Sequence, residues 1–176
     1  MSHCLEFREE TDADFDAVSD LHDTVFGGGM ESRIVTCIRQ GHRPYLSYVA
    51  LSDSRVCGHV LFSEVDVIGA GTSAVAIALG PVAVLPVHQL QGIGTHLIRH
   101  GLKWCRKRHY DRCFVLGDPA YYGRFGFCQA FASGCWFGTR RDRPAFQVLL
   151  FDQGPVDLPR GEVRYASVFY QEESVN

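Results

Sequence analysis

The stretch that most constrains the fold runs from Ala74 to Thr95. Ala74-Val75-Ala76-Ile77-Ala78-Leu79 and Val82-Ala83-Val84-Leu85 are almost wholly apolar. Such a run predicts a strand over 74–85 that is buried on both faces. Gly80-Pro81 interrupts it, and because proline cannot donate to a ladder, a bulge or a splay is expected there. Pro86 stops the strand, and Gly92-Ile93-Gly94-Thr95 then opens a helix over about 92–108. At about 100° per residue, Ile93, Trp104, Leu97, Cys105, Ile98 and Leu102 share one half of that helix, while Thr95, His96, Arg99, His100, Lys103, Arg106 and Lys107 share the other. One face is therefore expected on a sheet. The first amides of such a helix lack intrahelical acceptors and lie at the positive end of its dipole, so the turn is a candidate anion site.

The remaining segments frame this unit. Leu5-Glu6-Phe7-Arg8 alternates like a half-buried strand. Capping residues at Thr11–Asp14 and apolar residues at three- and four-residue steps predict a helix over 13–26, ended by Gly27-Gly28-Gly29. A second helix is expected over 30–40, closed by Gly41 and Pro44. Strands follow over 45–51 and 56–68, joined by Ser52-Asp53-Ser54-Arg55, with a second turn at Gly69-Ala70-Gly71. After the 92–108 helix come a strand over 112–116, a short helix near 119–124, and strands around 128–137 and 146–151. The expected order is βααβββαβαββ, an α/β fold in a single domain over 1–176 with a mixed, largely antiparallel sheet. No repeat, low-complexity tract or dividing linker is evident.

Composition excludes several classes. A chain of 176 residues with 46% hydrophobic and 12% aromatic residues can bury a full core. A formal charge of -3 is too nearly neutral to steer nucleic acid by its overall field. The 7 cysteines are odd in number, irregularly spaced and without a C-x-x-C pair, so they read as reduced, mostly buried thiols in a cytoplasmic protein. No apolar run approaches the roughly 18 residues of a membrane helix, and the acidic start Leu5-Glu6 is unlike a signal peptide. Cys57-Gly58-His59 and the set Cys105, His109, Cys113 lack the paired short spacings of a metal site, so no metal is proposed.

The glycine-bearing turn admits three nucleotide readings. A P-loop needs G-x-x-x-x-G-K-[ST], which does not occur. A Rossmann fingerprint fails because Leu97 stands at the third glycine position and the motif arrives after βααβββ. The third reading is Gln89-x-x-Gly92-x-Gly94 after Val82-Ala83-Val84-Leu85-Pro86. It resembles the Q/R-x-x-G-x-G/A pyrophosphate motif of the GCN5-related N-acetyltransferases. A second segment, Asp118-Pro119-Ala120-Tyr121-Tyr122-Gly123-Arg124-Phe125-Gly126-Phe127, is similar to that family's β5–α4 region, where a tyrosine precedes Gly-Phe by four residues. Tyr122 occupies this register, and the wording of the segment resembles the YhbS-type subgroup. With the element order, the resemblance covers nearly the whole chain.

The resemblance implies an acetyl-CoA-dependent N-acetyltransferase acting by direct attack of a primary amine in a ternary complex. Backbone groups of Val82 and Val84 would hold the pantetheine in a gap between the strands at 74–85 and 112–116. The pyrophosphate would rest on amides of Leu90, Gln91, Gly92, Ile93, Gly94 and Thr95, with Gln89 completing the cofactor set. Tyr122 would give a proton or hydrogen bond to the departing thiolate, with Tyr121 as the neighbour for comparison. The acceptor would enter near Phe26–Glu31 and Cys135–Arg143, where Arg140-Arg141-Asp142-Arg143 reads equally as a solvated loop. A homodimer is compatible with all of this, and neither nucleic acid nor membrane is expected as a partner.

The base is a departure from the family pattern. Many relatives carry a carboxylate on the strand equivalent to 74–85, whereas Ala74–Leu79 holds no titratable group. Glu64 and Asp66 on one face of the preceding strand, and His59 on the other, are the candidates, each also readable as an ordinary strand residue. Two further readings stay open: a non-catalytic acyl-CoA-binding sensor or partner module, and an acyltransferase with a hydroxyl acceptor or a longer acyl donor.

Overall fold

Glycines and prolines punctuate the chain where the sequence places them. The computed structural model describes residues 4–151 and 158–167. In chain order its elements are β1 (Leu5–Glu9), α1 (Phe15–Phe26), α2 (Met30–Gln40), β2 (Tyr45–Ser52), β3 (Arg55–Gly69), β4 (Thr72–Val84) and α3 (Ile93–Lys107). There follow β5 (Arg112–Leu116), α4 (Pro119–Tyr122), β6 (Cys128–Gln129), β7 (Cys135–Trp136), β8 (Phe146–Leu150) and β9 (Gly161–Arg164). Hydrogen bonding links the strands in the order β1-β2-β3-β4-β5-β8-β6, with β9 paired to β3 and β7. The fold is the expected α/β class with a mostly antiparallel sheet.

Three details differ from the sequence reading. The strand expected over 128–137 is two short pieces, because Ala130–Ser133 forms a 3-10 turn closed by Gly134 in the left-handed region at φ 74°. The strand β9 was not anticipated; Glu162, Val163 and Arg164 pair antiparallel with the end of β3, Val67 opposite Val163. The strand β4 continues through Gly80-Pro81, and Val75 near its start is 46% exposed, so burial on both faces begins only at Ala76. Its parallel ladder with β5 runs from Ile77↔Cys113 to Leu79↔Val115, the residue before Gly80.

The chain divides into two compact units, residues up to 62 with 80–101, and 63–79 with the chain from 102 onward. In the first unit β1 and β2 pair antiparallel from Leu5↔Ser52 to Glu9↔Tyr48. Alternation along β3 sends its residues two ways. Gly58 faces α3, where a Cβ would lie 3.0 Å from Ile93 Cγ2, and Phe62 lies against Gly101 of the same helix. On the opposite face Leu61 packs with Val18 of α1, Val35 of α2, and Val49 and Leu51 of β2. The entry to α1 is pinned by Asp14, whose carboxylate accepts from Thr11 and pairs with Arg8 through two bonds of 2.6 and 2.9 Å. Those bonds to Arg8 hold the Asp14 carboxyl well below the usual carboxylate range.

In the second unit β5 is flanked by β4 and by β8, antiparallel from Arg112↔Leu150 to Leu116↔Phe146. Its core joins Val65 and Val67 of β3, Ala76 and Ala78 of β4, Phe114, Phe146 and Val148. Arg112 is 2% exposed and survives there because its guanidinium donates to Asp111 at 2.9 Å and to the Pro159 carbonyl at 2.7 Å.

Candidate functional site

The turn from β4 into α3 lies wholly within the first unit. Leu85 N–H donates to the Cys57 carbonyl at 2.9 Å, anchoring the end of β4 to β3. A 3-10 turn over Pro86–His88 follows, closed by His88 N–H to Leu85 O and Gln89 N–H to Pro86 O. The two glutamine side chains fold back onto this turn: Gln89 Nε2 donates to Val84 O at 3.0 Å and Gln91 Nε2 to Val87 O at 3.2 Å. Of the residues named for the cofactor, Gln89 and Gln91 thus spend their side chains on shaping the turn. What they leave facing outward is backbone.

Leu90 and Gly92 both take positive φ, 60° and 83°, which turns the chain sharply into the helix. The Leu90 side chain is fully exposed, whereas Ile93 is buried. His96 N–H makes an i→i−4 bond, to Gly92 O at 2.9 Å, so the amides of Ile93, Gly94 and Thr95 precede it. Between Gly80 and Thr95 the chain carries no Lys, Arg, Asp or Glu. Within this segment an anion would be met by backbone dipoles; Arg55 lines a cavity together with Leu85 and His88 at the start of the turn.

Tyr122 belongs to the second unit, at the end of α4. Asp118 caps this turn, its carboxylate accepting from Ala120 N–H at 2.9 Å, and Pro119 starts it. The Tyr122 ring lies against Gly117, where a Cβ would fall 2.3 Å from Tyr122 Cε2, and it meets Tyr121 and Phe127 edge-on. Gly117 is held by its N–H to Ala145 O and by Gln147 Nε2 donating to its carbonyl. Burial first, then Tyr121 and Cys113, push the Tyr122 phenol above its ordinary value. Its hydroxyl makes no hydrogen bond among the described residues.

The three candidate bases separate clearly. Glu64 accepts the Tyr110 hydroxyl at 2.8 Å, and Asp66 pairs in register with Arg164 of β9. His59 is fully buried on the α1–α2 face of β3, within the first unit, in a chain of polar groups that sequence reasoning did not assemble. Its Nδ1 lies 2.8 Å from His22 Nε2 and its Nε2 lies 2.7 Å from Ser47 Oγ. Ser47 Oγ donates to Glu10 Oε2 at 2.5 Å, and Glu10 is ion-paired with Arg39. His22 occupies a position on the apolar stripe of α1 and is fully buried; the legible signal was a histidine at the register of the apolar residues of that helix.

Comparison with known proteins now decides the family. The model of the acetyltransferase (GNAT) domain matches residues 6–130. The chain belongs to the GNAT acetyltransferase family. It is 35% identical over 166 residues to the uncharacterized N-acetyltransferase YhbS of Escherichia coli K12, covering 92% of this chain and 96% of that protein. A second relative, the uncharacterized N-acetyltransferase YjhQ of the same strain, is 32% identical over 127 residues, covering 71% of this chain and 70% of that one. The crystal structure of Escherichia coli YhbS in complex with CoA superimposes with a TM-score of 0.88 at 28% identity, covering 98% and 95% of the two chains. A GNAT family acetyltransferase from Brucella melitensis in complex with acetyl-CoA gives 0.77 at 35% identity, covering 96% and 99%. Among the described residues of this GNAT protein, no helix is long and apolar enough to cross a membrane.

Proposed function

We propose that this protein is a single-domain N-acetyltransferase that moves the acetyl group of acetyl-CoA to a primary amine by direct attack. The observation that carries the reading is the β4–α3 turn, whose outward amides and absence of charged side chains suit a pyrophosphate. The CoA and acetyl-CoA complexes of the two similar structures support it. Val82 and Val84 offer backbone groups to the pantetheine, and Leu90 to Thr95 offer amides to the pyrophosphate.

Holding amine and thioester together supplies the main rate term, which can reach roughly 7 to 11 kcal/mol. As the C–N bond forms and the C–S bond breaks, negative charge develops on sulfur. Tyr122 is the donor that meets it. A phenol held above its ordinary pKa stays protonated at neutral pH, so it serves as a hydrogen-bond donor to the departing thiolate and passes a proton only as that charge matures.

The seven free thiols suit a reducing compartment, and we place the protein in the cytoplasm. The test is the melting temperature with acetyl-CoA, CoA and NAD, each in large excess. At about 100 times Kd a ligand stabilises by roughly 2.7 kcal/mol, several degrees at this size. A rise with both CoA species and none with NAD is expected; no rise with any of them removes the reading. The lack of a titratable group on Ala74–Leu79 favours one rival, an acyl-CoA-binding module without turnover. Thiol release in the presence of an amine panel separates the two.

A further inference from the structure

The role proposed above for Tyr122 demands that its hydroxyl stand in one place, and no hydrogen bond among the described residues holds it there. Nor is it one of their buried unpartnered polar atoms, so the oxygen opens to solvent while the ring beneath it is buried. Two side-chain torsions carry that oxygen, so its place is decided by what the ring rests on. The support is Gly117. A Cβ there would lie 2.3 Å from Tyr122 Cε2 and 3.0 Å from Cδ2, the first closer than real side chains come. Gly117 does not take a positive φ, so the backbone itself makes no demand for glycine. The Tyr122 ring makes it, by lying directly against the main chain.

Gly117 is in turn tied to β8 on both sides. Its N–H donates to Ala145 O at 2.9 Å, continuing the β5–β8 pairing just past Leu116↔Phe146. Its carbonyl accepts from Gln147 Nε2 at 3.1 Å, a side-chain bond that the ladder does not require. Gln147 is 2% exposed and lies opposite Val115, between Phe146 and Val148 of the apolar core. Alternation along β8 turns it to the other face of the sheet from those two neighbours. A strand position this buried is ordinarily apolar, because an amide taken out of water is unfavourable without a partner. What the Gln147 amide adds is a fixed direction for the Gly117 carbonyl, where the chain leaves β5 and before Asp118 and Pro119 set the turn that ends in Tyr122. All of these groups lie in the second unit.

We propose that Gln147 is a positioning residue for Tyr122: by holding the Gly117 carbonyl it fixes the surface on which the phenol ring rests, and so the place of the hydroxyl. This rests on the part in acetyl transfer proposed above for Tyr122. A misplacement of about 1 Å at a reacting group can cost on the order of 100-fold in rate, so a small rotation of the Gly117 peptide is enough to matter. Removing the Gln147 amide frees that rotation on the carbonyl side and leaves the Ala145 bond in place. Coenzyme binding is assigned to the β4–α3 turn, which none of these residues joins. The effect therefore belongs in kcat and not in acetyl-CoA affinity.

The test is a double-mutant cycle in the full chain, with acetyl-CoA and three probe amines: spermidine, a lysine-containing tripeptide and a peptide with a free N-terminal alanine. Gln147→Met keeps a side chain of similar length and removes its donor. With whichever probe the wild type acetylates, Gln147→Met should lower kcat by at least about fivefold and keep the acetyl-CoA melting shift. In a Tyr122→Phe background, which has no hydroxyl to place, the same substitution should change kcat by less than about twofold. Gln147→Glu is the second variant. Its carboxylate cannot donate to the Gly117 carbonyl, whereas the protonated acid can, and burial raises the pH at which that acid forms. The ratio of its kcat to that of the wild type should therefore rise as pH falls from about 8 to about 5.5, amine protonation being common to both. Equal losses in the two backgrounds, an unchanged kcat in Gln147→Met, or a flat ratio for Gln147→Glu overturns the positioning role and leaves acetyl transfer intact. A Tyr122→Phe variant with the wild-type kcat, or a wild type that acetylates none of the probes, overturns the underlying reading and this inference with it.

Discussion

Tyr122 and its neighbour Tyr121 differ by about 100° around one short turn, so Tyr121 serves as the control for the role proposed for Tyr122. Tyr122→Phe should keep acetyl-CoA affinity and lose at least about tenfold in kcat, roughly 1.4 kcal/mol of transition-state stabilisation, while Tyr121→Phe changes little. Equal kinetics in the two variants would remove Tyr122 from the mechanism. Histidine 22 makes a separate prediction about stability. Its folded pKa, near 4, lies below the ordinary 6.5, so the unfolded chain binds the extra proton. The contribution is complete above about pH 6.5 and is lost as pH falls toward 4, on the order of 3 kcal/mol, with His59 acting in the same direction. Asp14 does not share that window, because a depressed carboxylate keeps its contribution until the pH falls below its ordinary 3.8. Chemical unfolding of the wild type should therefore show a midpoint that is level from pH 7.5 to about 6.5 and falls from there to pH 4.5, and a profile flat throughout would contradict it. None of this was legible in the sequence as a unit, since Glu10, His22, Ser47 and His59 meet only through long-range folding. Tyr122 could be offered as a candidate from the family resemblance because the segment that carries the resemblance is local.

At the level of elements, α3 was the most legible part of the chain. Angular placement alone sorted Ile93, Leu97, Ile98, Leu102, Trp104 and Cys105 to one side; all but Trp104 are buried, and Trp104 is half-buried. What periodicity could not show is how its polar side is used. His96 and His100 stack on Phe7 of β1 and Tyr48 of β2 at 3.8 and 3.7 Å. The strand β9 and the break within 128–137 escaped for a related reason: pieces of two to four residues are defined by their partners, not by a repeating pattern. Gly101 in α3 permits a direct test of packing against propensity. Alanine there would favour an isolated helix by roughly 0.8–1 kcal/mol, but its Cβ would lie 1.9 Å from Phe62 Cε2. Gly101→Ala should therefore destabilise the protein by about 1–3 kcal/mol, and adding Phe62→Leu should recover part of that loss. If the single variant melts at or above the wild type, the helix–strand contact is looser than the structure shows.

On the scale of the whole molecule, the formal charge of -3 and pI of about 6.2 bear on how a polyanionic coenzyme could be held. The net field repels it weakly, and the 80–95 segment contributes no cationic side chain beyond His88 should that residue become protonated. The recognition proposed above, by amides and a helix dipole, would differ from a lysine or arginine clamp, whose ion pairs weaken steeply as salt screens them. Salt also screens the dipole, but it relieves the overall repulsion, and the two effects oppose each other. Acetyl-CoA affinity measured by calorimetry between about 0.05 and 0.5 M NaCl should thus change by less than roughly threefold, where a Debye length shrinks from about 14 to about 4 Å. A tenfold or greater loss would place a cationic side chain from outside the 80–95 segment on the coenzyme's phosphates. Charge-removing variants at surface arginines would then identify it, and the backbone turn would be demoted from main anchor to shaping element.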